Sequence, residues 1–308
     1  MSRASLVALA TRARLLAQVR RFFVARGFVE VETPALVPSP GLDVHLDAFE
    51  TNGPAAARYL ATSPEYQMKR LLADGAPRIF QIGRAYRRDE QGERHNVEFT
   101  LCEFYRAPGR VDDVIADTEQ LIAALTGGTV RLPGRTVRTL PPFRRITVDE
   151  AFVAHAGLAP GESLQLADTD EDRFFRLLVD QVEPALARLD EAVILHEYPA
   201  SQASLARKKP SDPRVAERFE IYVAGVELCN GFGELTDAVE QRARFEADRA
   251  LRAERGLPAY PLDERFLQAL EAGLPDAAGN AIGLDRLVAL CLGTTEIASG
   301  LAFPLSEL

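Results

Sequence analysis

The sequence predicts an α+β fold in which an antiparallel sheet is flanked by helices. Residues 78–106 contain two apolar strands around the charged segment RDEQGER, a pattern typical of a β-hairpin. Residues 217–235 have a second hairpin pattern around the dipeptide Ala224-Gly225. Residues 11–26 carry apolar side chains at helical spacing, which indicates an amphipathic helix. Strands joined by short turns pair antiparallel, so these segments predict such a sheet with helical cover.

The first elements have clear local signals. Gly27 is placed to end the helix over residues 11–26, because glycine adopts the left-handed conformation common after helices. Residues 28–33 alternate between apolar and charged side chains, which predicts a strand. Pro34 cannot donate to a strand ladder and should end it.

Helices are also expected further along the chain. Residues 62–72 begin with Thr-Ser-Pro-Glu, in which a hydroxyl can cap the first turn and proline suits the first helical position. Residues 112–125 and 170–189 have helical patterns, so we predict that the segment 110–200 is mostly helical. No break in composition marks a second domain, and we predict one domain over residues 1–308.

The composition limits the function classes. The 308 residues are 47% hydrophobic and 26% charged, and no window approaches the roughly 18 to 20 apolar residues of a membrane span. The N-terminal segment lacks a signal-peptide pattern, so we expect a cytoplasmic protein without a membrane segment. A net charge of -9 argues weakly against a large nucleic-acid footprint. Cys102, Cys229 and Cys291 have no metal or disulfide spacing and are expected to pack as small apolar residues.

The first hairpin places chemistry on one face. Successive side chains of a strand point in opposite directions, so Phe99, Glu103 and Tyr105 project from the same side. An aromatic ring, an acid and a phenol in a row predict a pocket floor. An ordinary solvated hairpin is the alternative interpretation of its scattered charges.

The second hairpin predicts a metal site. If Ala224-Gly225 is a two-residue turn, Tyr222 pairs with Glu227, and Glu220 lies diagonal to Glu227 on the same face. Two carboxylates at that separation repel each other unless a cation lies between them. A Mg²⁺ ion that bridges phosphate groups to oxygen ligands would satisfy both acids. An exposed acidic edge is the alternative.

Three segments together resemble the signature motifs of class II aminoacyl-tRNA synthetases. Pro34 follows a helix and the strand VEVET, as the proline of the first motif does. YRRD at residues 86–89 and HNVEF at residues 95–99 are similar to the two halves of the second motif. GLDR at residues 283–286 opens an apolar run, as the third motif does. The resemblance implies the class II catalytic domain, an antiparallel sheet flanked by helices, and a homodimer formed through the first motif.

The resemblance also implies an ATP site. Arg87 would bind the α-phosphate and Arg286 the γ-phosphate, and both are the candidate catalytic residues because fixed cations stabilise charge that develops on phosphate oxygens. Phe99 would stack on adenine, Asp89 would meet its amino group, and His95 would reach toward the terminal phosphate. The implied ATP-binding residues are Arg87, Arg88, Asp89, His95, Asn96, Phe99, Glu227, Leu228, Gly283 and Arg286. Mg²⁺ would be held by Glu220 and Glu227.

The segment NGFGE at residues 230–234 resembles the lysyl branch of this family. In that branch Glu234 would join Glu103 and Tyr105 around the distal ammonium group of a lysine-like substrate. Asn230 would bind the carboxylate of the substrate, and Glu65 together with Ser63 would bind its other amine. The implied substrate residues are Ser63, Glu65, Glu103, Tyr105, Asn230, Glu234 and Ala281. Buried acids are costly without cationic partners, so such a pocket predicts a substrate with two amines.

Nearly the whole chain resembles a truncated group within this branch, the elongation factor P (R)-β-lysine ligases, in segments such as SPEY at residues 63–66 and RGLP at residues 255–258. The resemblance implies that ATP activates (R)-β-lysine or lysine as an adenylate, which is then transferred to elongation factor P. Because the first motif begins within thirty residues, we expect no domain for tRNA anticodon recognition. Ala281 stands where the synthetases have glycine and would separate α- from β-lysine. A truncated synthetase that charges tRNA and a non-catalytic amino-acid-binding protein are the alternatives.

Overall fold

The computed structural model describes residues 4–51, 57–203 and 205–308. The strands are β1 (Val29–Glu30), β2 (Leu36–Val37), β3 (Glu50–Thr51), β4 (Arg58–Leu60), β5 (Arg78–Tyr86), β6 (Glu98–Arg106), β7 (Thr129–Leu132), β8 (Arg135–Arg138), β9 (Arg144–Thr147), β10 (Val193–His196), β11 (Lys208–Lys209), β12 (Asp212–Ala216), β13 (Arg218–Val223), β14 (Val226–Gly233) and β15 (Ala278–Gly283). The α-helices are α1 (Leu6–Val24), α2 (Glu65–Ala73), α3 (Val111–Thr126), α4 (Val148–His155), α5 (Glu162–Thr169), α6 (Glu171–Leu177), α7 (Glu183–Leu186), α8 (Ala238–Glu254), α9 (Glu264–Gly273) and α10 (Leu284–Cys291).

The centre of the fold is an eight-stranded sheet in the order β1-β5-β6-β15-β14-β13-β10-β9. Neighbouring strands are antiparallel except at the two edges, where β1 pairs with β5 and β9 with β10 in parallel. One apolar cluster joins the sheet to α1, α3 and α10, and a second joins it to α2, α8 and α9. The predicted antiparallel sheet flanked by helices is confirmed.

The first motif forms a shorter strand than predicted. Helix α1 begins at Leu6, where the Ser5 hydroxyl accepts from the Ala8 amide at 3.1 Å, and Gly27 follows it with a φ of 76°. The strand expected over residues 28–33 is restricted to Val29–Glu30 at the sheet edge. The Thr33 amide donates to the side-chain oxygen of Gln81 at 2.8 Å rather than to a backbone carbonyl of β5, so regular pairing stops before Pro34.

Helix α2 begins three residues later than its predicted start at residue 62. Glu65 is its first residue, and Pro64 takes the cap position that the sequence assigned to a hydroxyl. The Ser63 hydroxyl still accepts from the Glu65 amide at 3.1 Å. This start leaves the Ser63 hydroxyl group available for a second contact.

The segment 110–200 contains more strand than predicted. It has the expected helix α3, but the predicted helix over residues 170–189 is divided into α6, a π-helical turn at Leu178–Val182, and α7. Strands β7 and β8 form a hairpin, and β9 and β10 extend the main sheet. Gly134 makes the hairpin turn possible with a φ of 72°.

Candidate active site

Three neighbouring strands, β6, β15 and β14, form the floor of the site. Ala281 on β15 pairs with Glu103 of β6 on one side and with Asn230 of β14 on the other. Two cavities meet above these residues. Both are lined by Arg87, Leu101, Asn230 and Ala281. We call the cavity that also contains Ser63, Glu65, Glu103, Tyr105 and Glu234 the amine pocket. The other, which contains Phe99, His95, Glu227, Leu228, Gly283 and Arg286, is the phosphate cavity.

Glu103 is fully enclosed in the amine pocket. It accepts from the Ser63 hydroxyl at 2.7 Å and from the Tyr105 hydroxyl at 2.5 Å, and only 2% of the residue is exposed. Burial raises the pKa of Glu103 to about 7, and the nearby carboxylate of Glu65 contributes to the rise. The strand alternation that predicted Glu103 and Tyr105 on one face is confirmed.

A lysine that the sequence analysis did not include lies behind this pocket. The Lys69 ammonium group bonds to Glu65 Oε1 at 2.6 Å and also contacts Glu234 Oε2, and the side chains of Lys69 and Glu234 have no exposed surface. Burial raises the pKa of Glu234 to about 8, although Lys69 opposes the rise. Burial acts to lower the pKa of Lys69, but Glu234 and Glu65 together outweigh it and raise that pKa. Lys69 follows Glu65 by four residues on α2, and this spacing was the available signal.

The phosphate cavity contains the two predicted guanidinium groups. Arg286, in the first turn of α10, donates to the Glu227 carbonyl at 2.9 Å and contacts His95 Nε2 at 2.6 Å. Desolvation lowers the pKa of His95 most, and the positive charge of Arg286 lowers it further. The lowered pKa favours the neutral imidazole. Arg87 lies 5.0 Å from the centre of the Phe99 ring and forms an ion pair with Glu90 at 3.0 Å. The two cations therefore stand on different walls of one cavity.

The structure does not bring every predicted ATP residue to this cavity. Arg88 and Asp89 do not line it, because Arg88 turns outward to bond Asp47 at 2.7 Å and 70% of the Asp89 side chain is exposed. Glu90, which the sequence analysis did not include, lines the cavity in their place.

Asn96 reaches the cavity wall, but its polar atoms are used within the protein. Its amide group donates to the Glu98 carbonyl at 2.7 Å, and its oxygen accepts from the Leu305 amide at 3.2 Å. Asn96 therefore orders the loop that carries His95.

The predicted acid pair is formed by a turn of the expected type. Ala224 and Gly225 both have positive φ angles, 55° and 78°, and Tyr222 pairs with Glu227 as predicted. A bulge then shifts the register, so Glu220 pairs with Asn230. Desolvation is the main reason that the pKa of Glu227 is raised to about 7, and the negative charge of Glu220 also raises it.

Glu220 has more partners than the sequence indicated. It accepts from Tyr198 at 2.6 Å and from Tyr222 at 2.7 Å, and Arg218 donates to it at 2.8 Å. Of these two glutamates, Glu227 lines the phosphate cavity and Glu220 does not, and 38% of the Glu227 side chain remains exposed. Among the described residues there is no cluster of three or more His, Cys, Asp or Glu that could hold a metal alone. The arrangement fits a Mg²⁺ ion that takes one or two carboxylates from the protein and its other oxygens from ATP and water.

In the part of the chain that the structure describes, every helix is too short or too polar to span a membrane.

Comparison with known proteins gives a consistent result. The family model for class II tRNA synthetases of the D, K and N type matches residues 2–307. A Klebsiella pneumoniae protein named elongation factor P (R)-β-lysine ligase is 43% identical over 95% of this chain and 93% of its own length. Proteins of the same name from Proteus mirabilis and Salmonella gallinarum are 42% identical and cover 98% and 97% of this chain, with 96% and 95% of their own lengths. The chain belongs to the class II aminoacyl-tRNA synthetase family.

Proposed function

We propose that this protein uses ATP to activate (R)-β-lysine as an adenylate and then transfers it to the ε-amine of a lysine on elongation factor P. The observation that carries the proposal is the direct junction of the acid-rich amine pocket with the arginine-lined phosphate cavity at Ala281 and Asn230. The relatives that cover nearly the whole chain have the corresponding name.

The amine pocket supports a substrate with two amines. Glu103 and Glu234 are buried carboxylates, and Glu234 Oε1 has no hydrogen-bond partner among the described residues. An ammonium group that bonds both acids would remove this desolvation penalty. Ser63 and Glu65, which line the same pocket, would bind the second amine, and Asn230, which lines both cavities, would hold the substrate carboxylate.

The phosphate cavity supports adenylate formation. A carboxylate oxygen of the substrate attacks the α-phosphorus of ATP, and pyrophosphate leaves. Arg87 and Arg286 would stabilise the charge on the phosphate oxygens, and Phe99 offers an aromatic face for adenine. Mg²⁺ bound by Glu227 with Glu220 would neutralise phosphate charge. We therefore propose ATP and Mg²⁺ as substrate and cofactor.

The second step forms an amide bond. The neutral ε-amine of the acceptor lysine attacks the carbonyl carbon of the adenylate, AMP leaves, and one proton is released. No covalent intermediate with the enzyme is needed, because the adenylate already supplies the leaving group. ATP and a translation factor as substrates place this reaction in the cytoplasm.

We also propose a homodimer through the first motif. Exposed apolar side chains are found on α1 and on the short strands that follow it: Leu6, Val7, Val24, Val29 and Leu36 are each at least 50% exposed. A second copy that covers this surface would bury it. Sedimentation should give twice the monomer mass, and a monomer at micromolar concentration would reject this part of the proposal.

The activity is tested by ATP–pyrophosphate exchange with (R)-β-lysine and with α-lysine, followed by intact-mass analysis of elongation factor P. We expect better exchange with the β-isomer and a gain of one lysyl unit by the factor. Glu234→Gln should raise the KM for the amino acid more than the KM for ATP. Efficient tRNA charging with no change in the mass of the factor would reject the proposed function.

Ala281→Gly tests the choice between the isomers. Ala281 lines both cavities, so its methyl group lies close to the reacting end of the substrate. Removing the methyl group should reduce the preference for β-lysine by about 1 to 3 kcal/mol, or roughly 5- to 150-fold. An unchanged preference would remove Ala281 from the specificity argument.

A further inference from the structure

We propose that Lys69 is a positioning residue that sets the charge of the amine pocket so that it matches a diamine. The inference rests on the proposed function, because it concerns the same pocket. Lys69 does not line the cavity, and its ammonium group is instead enclosed behind it, in contact with Glu65 and Glu234. It therefore acts on the substrate only through these two carboxylates.

The surroundings of Lys69 favour such a role. Its side chain has no exposed surface, and an ammonium group without carboxylate partners would be costly in such a place. The rings of Phe232 and Phe266 lie 5.2 and 5.9 Å from its nitrogen, so the remaining surroundings include aromatic faces. Lys69 is thus a permanent internal cation rather than a mobile side chain.

The charge count explains what this cation does. Glu65, Glu103 and Glu234 together carry three negative charges when ionised, and Lys69 supplies one positive charge from behind the pocket. Within this set of four residues two negative charges remain, which equals the number of ammonium groups on a lysine isomer. Without Lys69, the third carboxylate would take up a proton from water, and that proton would have to leave before a diamine could bind with full charge pairing.

The neighbouring groups act on the pocket in opposite directions. Lys69 lowers the pKa of Glu103 and Glu234, whereas Glu65 raises the pKa of both, although burial is the largest cause in each case. Tyr105 donates to Glu103 and is itself uncharged, because burial raises its pKa. Asp43, Asp248 and Arg87 also line the cavity and stay in place in the variants below.

The sign of the effect follows from the protonation states. A diamine binds the ionised pocket, so its affinity rises with pH through the pKa values of the free pocket and then levels off. Lys69→Met removes the cation that favours ionisation, and the acid limb of the pH profile must move to higher pH. We expect a shift of about one pH unit, which corresponds to an approximately tenfold higher KM for β-lysine at pH 7.

The experiment measures pyrophosphate exchange by Lys69→Met as a function of pH, with KM values for both β-lysine and ATP. The KM for ATP should change less than twofold, because Glu65, Glu234 and the two rings beside Lys69 do not line the phosphate cavity. Lys208→Met is the matched control, since it removes one ammonium group from an exposed lysine outside the amine pocket and should leave the limb in place. A KM raised equally at every pH, with the limb unmoved, would mean a purely structural role and would overturn the inference.

A second comparison covers the case in which Lys69→Met does not fold. Glu65→Gln removes a carboxylate that opposes ionisation, so its acid limb should move to lower pH. The double variant with both Glu65→Gln and Lys69→Met replaces the ion pair with two neutral side chains of similar shape. Its acid limb should lie at higher pH than that of Glu65→Gln alone. No movement between these two variants would overturn the inference. Wild-type protein without exchange activity toward any diamine would instead reject the proposed function.

Discussion

Gly279 offers a sharp test of the amine pocket. It lies opposite Tyr105 in the β6–β15 ladder, and an added Cβ atom would be 2.3 Å from two carbons of the Tyr105 ring and 2.8 Å from Glu234 Oε1. Ordinary van der Waals contact begins at 3.4 Å, so in Gly279→Ala the ring must retreat by about 1 Å. A displacement of that size would break the 2.5 Å hydrogen bond from Tyr105 to Glu103. We expect a loss of about 1 to 3 kcal/mol in substrate binding, or a KM for β-lysine raised roughly 5- to 150-fold.

The assay is pyrophosphate exchange with separate titrations of amino acid and ATP. Gly300→Ala is the matched control, because its Cβ would lie 2.9 Å from the Val288 side chain and neither residue lines the amine pocket. That control should lower the thermal stability and leave the KM of the folded enzyme nearly unchanged. Gly279→Ala should raise the KM for β-lysine in the folded enzyme in addition to any loss of thermal stability. If the KM for β-lysine were unchanged in folded Gly279→Ala, Tyr105 would not shape the pocket as described.

Three further predictions concern stability, pH and the thiols. Asp285→Asn should lower the free energy of unfolding by about 3 to 5 kcal/mol in urea titrations, because the buried Asp285 forms an ion pair with Arg12 at 2.6 Å and accepts from the Thr100 amide. An effect under 1 kcal/mol would contradict that assignment. Because the pKa of Glu103 is raised to about 7 and that of Glu234 to about 8, the KM for β-lysine should fall as the pH rises from 6 to 8. If the KM for β-lysine measured by pyrophosphate exchange did not change with pH over this range, Glu103 and Glu234 would not titrate there in the free pocket. The buried thiols should react with Ellman's reagent far more slowly in native than in urea-unfolded protein, and equal rates would show that the core opens freely.

The hairpins were predictable because their signals are local. Alternation along β5 and β6 and the residue pair at the β13–β14 turn determined strand pairing near each turn. The bulge beyond Ile221 was not predictable, because a single extra residue leaves no mark in the apolar pattern. The hairpin β7–β8 was missed for a related reason, since its arginine-rich strands lie outside the main sheet and alternate weakly.

The predicted site was incomplete where long-range contacts decide the outcome. Lysine is almost always exposed, so nothing in the residue type indicated that Lys69 is buried against two acids from different elements. Arg218 was missed in the same way, although it forms an ion pair with Glu220. In both cases the sequence shows an acid that needs a partner, but only the fold identifies the cation.

The geometry of β6 links the two halves of the proposed reaction. Tyr105 and Glu103 lie in the amine pocket, Leu101 lines both cavities, and Phe99 lies in the phosphate cavity, all on one face of one strand. Two residues along a strand span about 7 Å. An extended lysine also measures about 7 Å from its distal nitrogen to its carboxyl carbon, given six bonds of roughly 1.5 Å in zigzag. A substrate held by Glu103 therefore places its carboxylate at the level of Leu101, where the cavities meet and where the α-phosphorus of ATP must lie for attack.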